Sequence, residues 1–304
     1  MNNVDLILDA IYKKSPLQKK KIESFLRSKN ISFKQEFEKF LSEYIGYLNE
    51  NDMTIEYSVD SYLEMVNDMF KSQIKFMRTG EYPVSDVTDT INDIYNDESK
   101  MLSYMIGLAL SQYLWSTHYE MFKHFSCSIL ENKGSITKYL EIGPGHGLFL
   151  KNAINVLDND IKITAVDISK TSIKVSKSII NYFYPLKNIN FVNADMLDLD
   201  INSTYDFIVM GEVIEHVENP ESLLIKISKL LDKNGKAFLS TCVNCPMIDH
   251  VYHFRTVDEI RKMFHDCGLI IETERVLPVE ELSMNEIINK KVTINYSAIV
   301  KKIQ

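Results

Sequence analysis

The stretch Lys138-Tyr139-Leu140-Glu141-Ile142-Gly143-Pro144-Gly145-His146-Gly147-Leu148-Phe149-Leu150 decides how this chain is read. A short run of strand formers enters a turn in which every second residue is glycine, and an apolar segment of helical character leaves it. Strand, glycine-rich turn and helix start, in that order, make a nucleotide-type site, because a backbone without side chains lets a ligand approach closely. A dinucleotide fingerprint, G-x-G-x-x-G, would need its third glycine where Leu148 stands; this turn closes one residue earlier, at Gly147, so hydride chemistry is disfavoured. Glu141, just before the turn, would repel a pyrophosphate and favour an ammonium group. The expected ligand is cationic at one end and is cradled by Gly143, Pro144, Gly145 and Gly147.

Downstream, short β-type runs alternate with helix-length segments: TKYLEI, IKITAVD, NINFVNA, YDFIVMG and KAFLST. That alternation predicts a parallel sheet with helices on both faces. Two last runs, LIIETERV and KVTINYSAIVKK, have no comparable helix between them and read as an antiparallel hairpin at the sheet edge, giving seven strands. The second strand ends at Asp167, whose carboxylate can accept both hydroxyls of a ribose, with Ile168 beside it to pack on an adenine face. The third ends in Asn193-Ala194-Asp195-Met196, where Asp195 can accept from the adenine amino group. Taken singly, Asp167 and Asp195 are ordinary strand-end carboxylates; in register after successive strands they describe one ligand.

At this point the chain resembles the class I S-adenosylmethionine-dependent methyltransferases, whose motif-I loop, ribose carboxylate and adenine carboxylate match Glu141 to Gly147, Asp167 and Asp195 in order. The resemblance covers roughly the last 170 residues by the strand-and-helix pattern. It implies an α/β, doubly wound, seven-stranded and mostly parallel sheet of strand order 3-2-1-4-5-7-6, with the seventh strand antiparallel. S-adenosylmethionine is the implied cofactor, held by Glu141, Gly143, Pro144, Gly145, Gly147, Asp167, Ile168, Asp195, Met196 and Glu212.

After the fourth strand comes Gly211-Glu212-Val213-Ile214-Glu215-His216-Val217-Glu218-Asn219-Pro220. This segment is similar to the E-V-x-E-H-V segment of ubiquinone-biosynthesis-type O-methyltransferases, and Pro220 suits the first position of a helix. Ligands of open α/β sheets bind at the carboxyl ends of the strands, so the segment is expected to line the methyl-transfer pocket. Glu215, His216 and the later His250 are the candidate catalytic residues, as general bases near neutral pH or as ligands. In small-RNA 3′-terminal 2′-O-methyltransferases, an E-x-x-E-H segment and a later histidine hold Mg²⁺. By that resemblance Glu212, Glu215, His216 and His250, with His253 as rival, form a candidate divalent-metal set that would lower the pKa of an acceptor hydroxyl. Many methyltransferases carry E-H-V as packing and helix entry with no metal. A second pattern, Cys242, Cys245, His250 and His253, has C-x2-C-x4-H-x2-H spacing, with a loop much shorter than in zinc fingers. Cys242 otherwise simply ends strand five.

Upstream of Lys133-Gly134-Ser135, apolar residues recur at helical spacing, as in Phe33, Phe37, Phe40, Leu41, Tyr44 and Ile45. We place the division there: an all-helical region 1–133, serving as lid, substrate-shaping element or dimerisation or carrier-protein surface, and a cofactor domain 134–304. Trp115, Tyr119 and Phe122 fall on one helix face and read as core, while Trp115, His118 and Tyr119 are pocket residues by resemblance only. Met101 to Trp115 is apolar but short of the roughly 20 residues of a bilayer span, so no membrane is expected. The start, MNNVDLILDA, has no basic leader. A formal charge of −8 disfavours a broad nucleic-acid footprint, and four cysteines in 304 residues suit a reducing compartment, hence the cytoplasm. The reading is methyl transfer to a small-molecule acceptor, with oxygen favoured. N- or C-methylation, RNA 2′-O-methylation and a silent cofactor-binding subunit are the alternatives.

Overall fold

A computed structural model describes residues 2–83, 97–200 and 203–303. Helices α1 (Asn3–Lys14), α2 (Pro16–Ser28), α3 (Ile31–Glu50), α4 (Ile55–Thr79), α5 (Glu98–Leu114) and α6 (Ser116–Asn132) come first. Their starts are set by local chemistry: Asn2, Asn30, Thr54 and Asp97 each accept a first-turn amide, and Pro16 opens α2 where its missing N–H costs nothing. Among the described residues, no helix is long and apolar enough to cross a membrane.

The strands are β1 (Lys138–Ile142), β2 (Lys162–Asp167), β3 (Asn190–Asn193), β4 (Tyr205–Gly211), β5 (Leu231–Val243), β6 (Leu269–Pro278) and β7 (Ile294–Lys302). Between them run α7 (Leu148–Val156), α8 (Lys170–Phe183), α9 (Pro220–Leu230), α10 (Val257–Asp266) and α11 (Met284–Asn289). The sheet order is β3-β2-β1-β4-β5-β7-β6, with β7 antiparallel to both its neighbours, as the family resemblance implied. β6 and β7 pair antiparallel at the sheet edge, as expected, with β6 outermost and β7 between it and β5; the short α11 lies between them in the chain. The reason lies in burial: Ile294 to Val300 is buried without interruption, which an interior strand requires and an edge strand does not.

The alternation of side chains along the strands feeds two cores. Tyr139, Phe207, Val209 and Phe238 join the cluster that continues into the N-terminal helices. Leu140, Ile142, Ile208, Met210 and Leu239 join the one beneath α9 and α10. Helix α6 lies directly on the sheet: His124 bridges Ser297 Oγ (2.9 Å) and Thr273 Oγ1 (3.1 Å) with its two ring nitrogens. Trp115, between α5 and α6, donates its indole N–H to Tyr62 (2.8 Å) and Tyr119 donates to Glu36 (3.2 Å), so this aromatic group belongs to the helical core. His118 is likewise tied to Ser111 Oγ, at 2.8 Å.

Candidate functional site

The turn after β1 is built on backbone geometry that only glycine adopts without strain. Gly143, Gly145 and Gly147 have φ of 68°, 48° and 75°. A Cβ on Gly143 would lie 2.5 Å from Val213 Cγ2, and one on Gly147 2.7 Å from Ile179 Cγ2, so the loop is pressed against both its neighbours. The amide of Gly143 donates to Val166 (2.8 Å), pinning the turn to β2. Pro144 is buried. His146 is half-buried, and its Nδ1 accepts the Leu148 amide at the start of α7 (3.2 Å), a capping contact within the loop.

Strand alternation puts Glu141 on the Tyr139 face, 2% exposed, where it accepts from the Tyr139 hydroxyl and the Leu150 amide. Burial pushes its carboxyl up to about 8. It supports the turn from inside.

The ends of β2 and β3 are tied into one ledge by Asn193, whose amide donates to the carbonyls of Asp167 and Ile168, both at 2.9 Å. Asp167 accepts the Ser169 amide (2.8 Å) and points its other oxygen at the Gly145 amide (3.5 Å); burial raises its pKa to about 7 despite these donors. Ile168 is 44% exposed beside it, an apolar face open to a ligand. Asp195 accepts the Leu197 amide (2.8 Å). Met196 is only 5% exposed and packs in the core beside the ledge.

The loop after β4 faces this crevice from the other side. Glu212 has the strained φ of 53°, held by its amide donating to the Ser240 carbonyl (3.1 Å) and Oγ (3.2 Å). Ile214–His216 forms one 3₁₀ turn that carries Glu215 wholly inside, where Thr241 donates to Oε2 (2.8 Å). Oε1 of Glu215 and Oε1 of Glu212 are buried with no hydrogen-bond partner. Burial raises both acids, Glu212 to about 7 and Glu215, pushed further by the Glu212 charge beside it, well above its ordinary range. The Glu215 carbonyl accepts the amides of Val251 (2.8 Å) and Tyr252 (2.9 Å), which draws the loop after β5 onto the same spot.

Two histidines meet there, ring centroids 4.7 Å apart. His216 Nδ1 lies 2.8 Å from the Asp249 carbonyl and His250 Nδ1 2.7 Å from that of Cys245. A carbonyl can only accept, so each Nδ1 carries the proton and each Nε2 holds a lone pair, the tautomer of a base or a metal ligand. Among the described residues three triads each offer ligand atoms within 4.8 Å of one another: Glu215, His216 and His250; Glu212, Glu215 and Cys242; Cys242, Cys245 and His250. Of the four residues expected as a metal set, Glu215, His216 and His250 fall in one triad, while Glu212 shares a triad only with Glu215 and Cys242; a buried orphan oxygen of Glu215 thus stands beside two oriented imidazoles. His253 is not with them: it bonds Asn244 Oδ1 (2.9 Å) and stacks on Tyr82 at 4.4 Å.

The N-terminal region roofs the crevice. A Cβ on Gly145 would lie 3.3 Å from the Met105 sulfur of α5. One turn-position earlier, the Tyr104 hydroxyl donates to the buried Asp249 carboxylate (3.3 Å), and Tyr82 accepts the Cys245 amide (2.8 Å). Sequence reading missed Tyr82, Tyr104, Met105, Ser240, Thr241 and Asp249. Only Asp249 carried a signal, its place beside His250.

Residues 116–274 match a family model described as a methyltransferase domain. Two curated proteins, both ubiquinone biosynthesis O-methyltransferases, are similar in part. That of Rickettsia conorii is 38% identical over 17% of this chain and 18% of its own length, and that of Rickettsia canadensis 27% identical over 36% of this chain and 54% of its own. The chain therefore spans at most about half the length of these relatives. Among solved structures, the N-methyltransferase NodS from Bradyrhizobium japonicum WM9, in complex with S-adenosyl-L-homocysteine, superposes with a TM-score of 0.53 at 14% identity, over 69% of this chain and 98% of that one, a likeness of fold.

Proposed function

The chain belongs to the methyltransferase-domain family, and on that premise we propose that it transfers the methyl group of S-adenosylmethionine to an oxygen of a small molecule. The observation that carries this reading is the meeting of Val213 with Gly143, which sets the oriented His216 and the buried Glu212 and Glu215 beside the glycine turn. The turn and Asp167 would hold the cofactor, with Ile168 against its base and Asp195 within reach of an amino group. S-adenosylmethionine supplies a methyl on a sulfonium, and the protein's share is alignment of the acceptor and removal of its proton.

His216 is the residue suited to that proton: its Nε2 lone pair is fixed by the Asp249 carbonyl, and the Tyr104 contact holds Asp249 in turn. Glu212, Glu215, His216 and His250 are also the residues that would hold a divalent cation, which when bound lowers the pKa of a hydroxyl. Oxygen as the acceptor atom agrees with the activity named for the two curated relatives. The roof formed by α5 suits a small acceptor in a site closed to water.

The test is calorimetric titration with S-adenosylmethionine and S-adenosylhomocysteine, followed by a mass-spectrometric screen of hydroxyl, amine and carbon acceptors with and without added divalent ions. Methylated phenols or alcohols are the expected products. Products methylated only at nitrogen or carbon would refute the oxygen preference, and binding without any product would favour a silent cofactor-binding subunit.

A further inference from the structure

Cys242 stands where a simple strand end needs no chemistry. It is 1% exposed at the end of β5, and its sulfur lies 3.6 Å from His250 Nδ1. Of the three ligand-capable triads, Cys242 occurs in two, one with Cys245 and His250 and one with Glu212 and Glu215, so the thiol stands directly beside the buried carboxylate pair. The two unpartnered oxygens, Oε1 of Glu212 and Oε1 of Glu215, belong to the same cluster. A buried carboxylate oxygen with no donor is costly unless something positive is supplied, and no lysine or arginine is paired with either group among the described residues.

Donor softness then separates the cations. Carboxylates alone suit Mg²⁺ or Ca²⁺, imidazoles suit zinc and its transition-metal neighbours, and a thiolate excludes the hard ions. Resting on the cation reading above, we infer that Cys242 is a ligand in this site, with Glu212 and Glu215, and that the ion it takes is of the zinc class and not Mg²⁺. On binding, the Cys242 S–H bond breaks, the sulfur bonds to the ion and the proton passes to solvent, so no oxidant or reductant is involved. Zinc sites that take sulfur beside harder donors obey the same logic.

Cobalt reports the ligand set directly, because a cobalt–thiolate bond adds a near-ultraviolet charge-transfer band that oxygen and nitrogen ligands do not. The full chain, stripped with chelator and kept reduced, is titrated with Co²⁺ as wild type, Cys242→Ser and Cys245→Ser, each checked for folding by circular dichroism. The expected result is a charge-transfer band in the wild type and in Cys245→Ser, absent from Cys242→Ser. That variant should keep its visible band with affinity lowered about tenfold or more. Zn²⁺ should displace the cobalt, and Mg²⁺ at about a thousandfold excess should not. Visible bands without charge transfer in the wild type would overturn the thiolate assignment while leaving an oxygen–nitrogen cation site intact. A charge-transfer band surviving in Cys242→Ser would overturn it equally. Failure to bind cobalt at all would sink the cation itself, and calorimetry with S-adenosylmethionine would still judge the methyltransferase reading separately.

Discussion

Phe125 of α6 lies flat on Phe149 of α7, ring centroids 4.6 Å apart and planes 10° from parallel, and meets Phe238 of β5 edge-on at 5.4 Å. The last helix before the expected division at residue 133 therefore covers the sheet that follows it. A fragment 134–304 would expose Phe149 and Phe238 and leave Ser297 and Thr273 without His124. It should aggregate or melt without cooperativity, and Phe125→Ala in the whole chain should lose about 3–5 kcal/mol in urea denaturation. A fragment 134–304 melting as cooperatively as the full chain would establish the division as a folding boundary.

Glycine at the turn is required by crowding as well as by φ. Gly147→Ala places a methyl 2.7 Å from Ile179 Cγ2 and 3.1 Å from the Ser176 Cα, and the latter is backbone that cannot rotate away. A loss of about 1–3 kcal/mol in thermal melting is expected, with weakened cofactor binding by calorimetry. Unchanged values for both would show that the turn relaxes freely.

Removing Asp167 and removing His216 should separate binding from turnover. Asp167→Ala deletes a carboxylate at the ribose position and is expected to weaken S-adenosylhomocysteine binding by about tenfold or more. His216→Ala should leave that affinity within about threefold and lower turnover by about a hundredfold or more, the scale of a lost general base. Equal losses of cofactor affinity in both variants would contradict the division of labour between the two rims of the crevice.

Stability should fall with pH through Glu141. Its folded carboxyl titrates at about 8, against an ordinary value of 4.5, so the native state binds the extra proton and is favoured most below 4.5. That advantage is lost as pH rises from 4.5 through 8. Asp167 and Glu212, both raised to about 7, act in the same direction over a narrower window. The buried His118 and His146, lowered to about 3 and 4, act oppositely, costing stability as pH drops below their ordinary 6.5. Glu141→Gln isolates the first effect: its melting temperature relative to wild type should climb between pH 5 and pH 8. A constant difference would mean that the carboxyl is not protonated in the fold.

Much of this was legible in the chain itself because period and punctuation are local properties. The glycine turn, Asp167 at the end of β2 and the Glu212 to His216 segment were all visible as strand ends, and strand ends on one edge of a parallel sheet must converge. The burial of Glu141 and Met196 was less legible, because a carboxylate beside a glycine turn and an apolar residue beside a strand-end carboxylate read as facing a ligand whatever packs around them. Tyr104 and Met105 could not be read at all: within an apolar helix a residue that touches a distant loop looks like one that touches the next helix. The interior position of β7 came from the strand order that the family resemblance implies, because its own residues, with Asn295 and Ser297 among the apolar ones, do not by themselves mark a strand buried on both faces.

That position has a consequence for how the protein comes into being. β7 leaves the ribosome after β6, yet β6 reaches the sheet only through β7. Until β7 has emerged, β5 presents an open edge and the apolar residues of β6, Leu269 among them, lack the strand that joins them to the sheet. A premature stop that removes β7 therefore takes β6 out of the sheet with it.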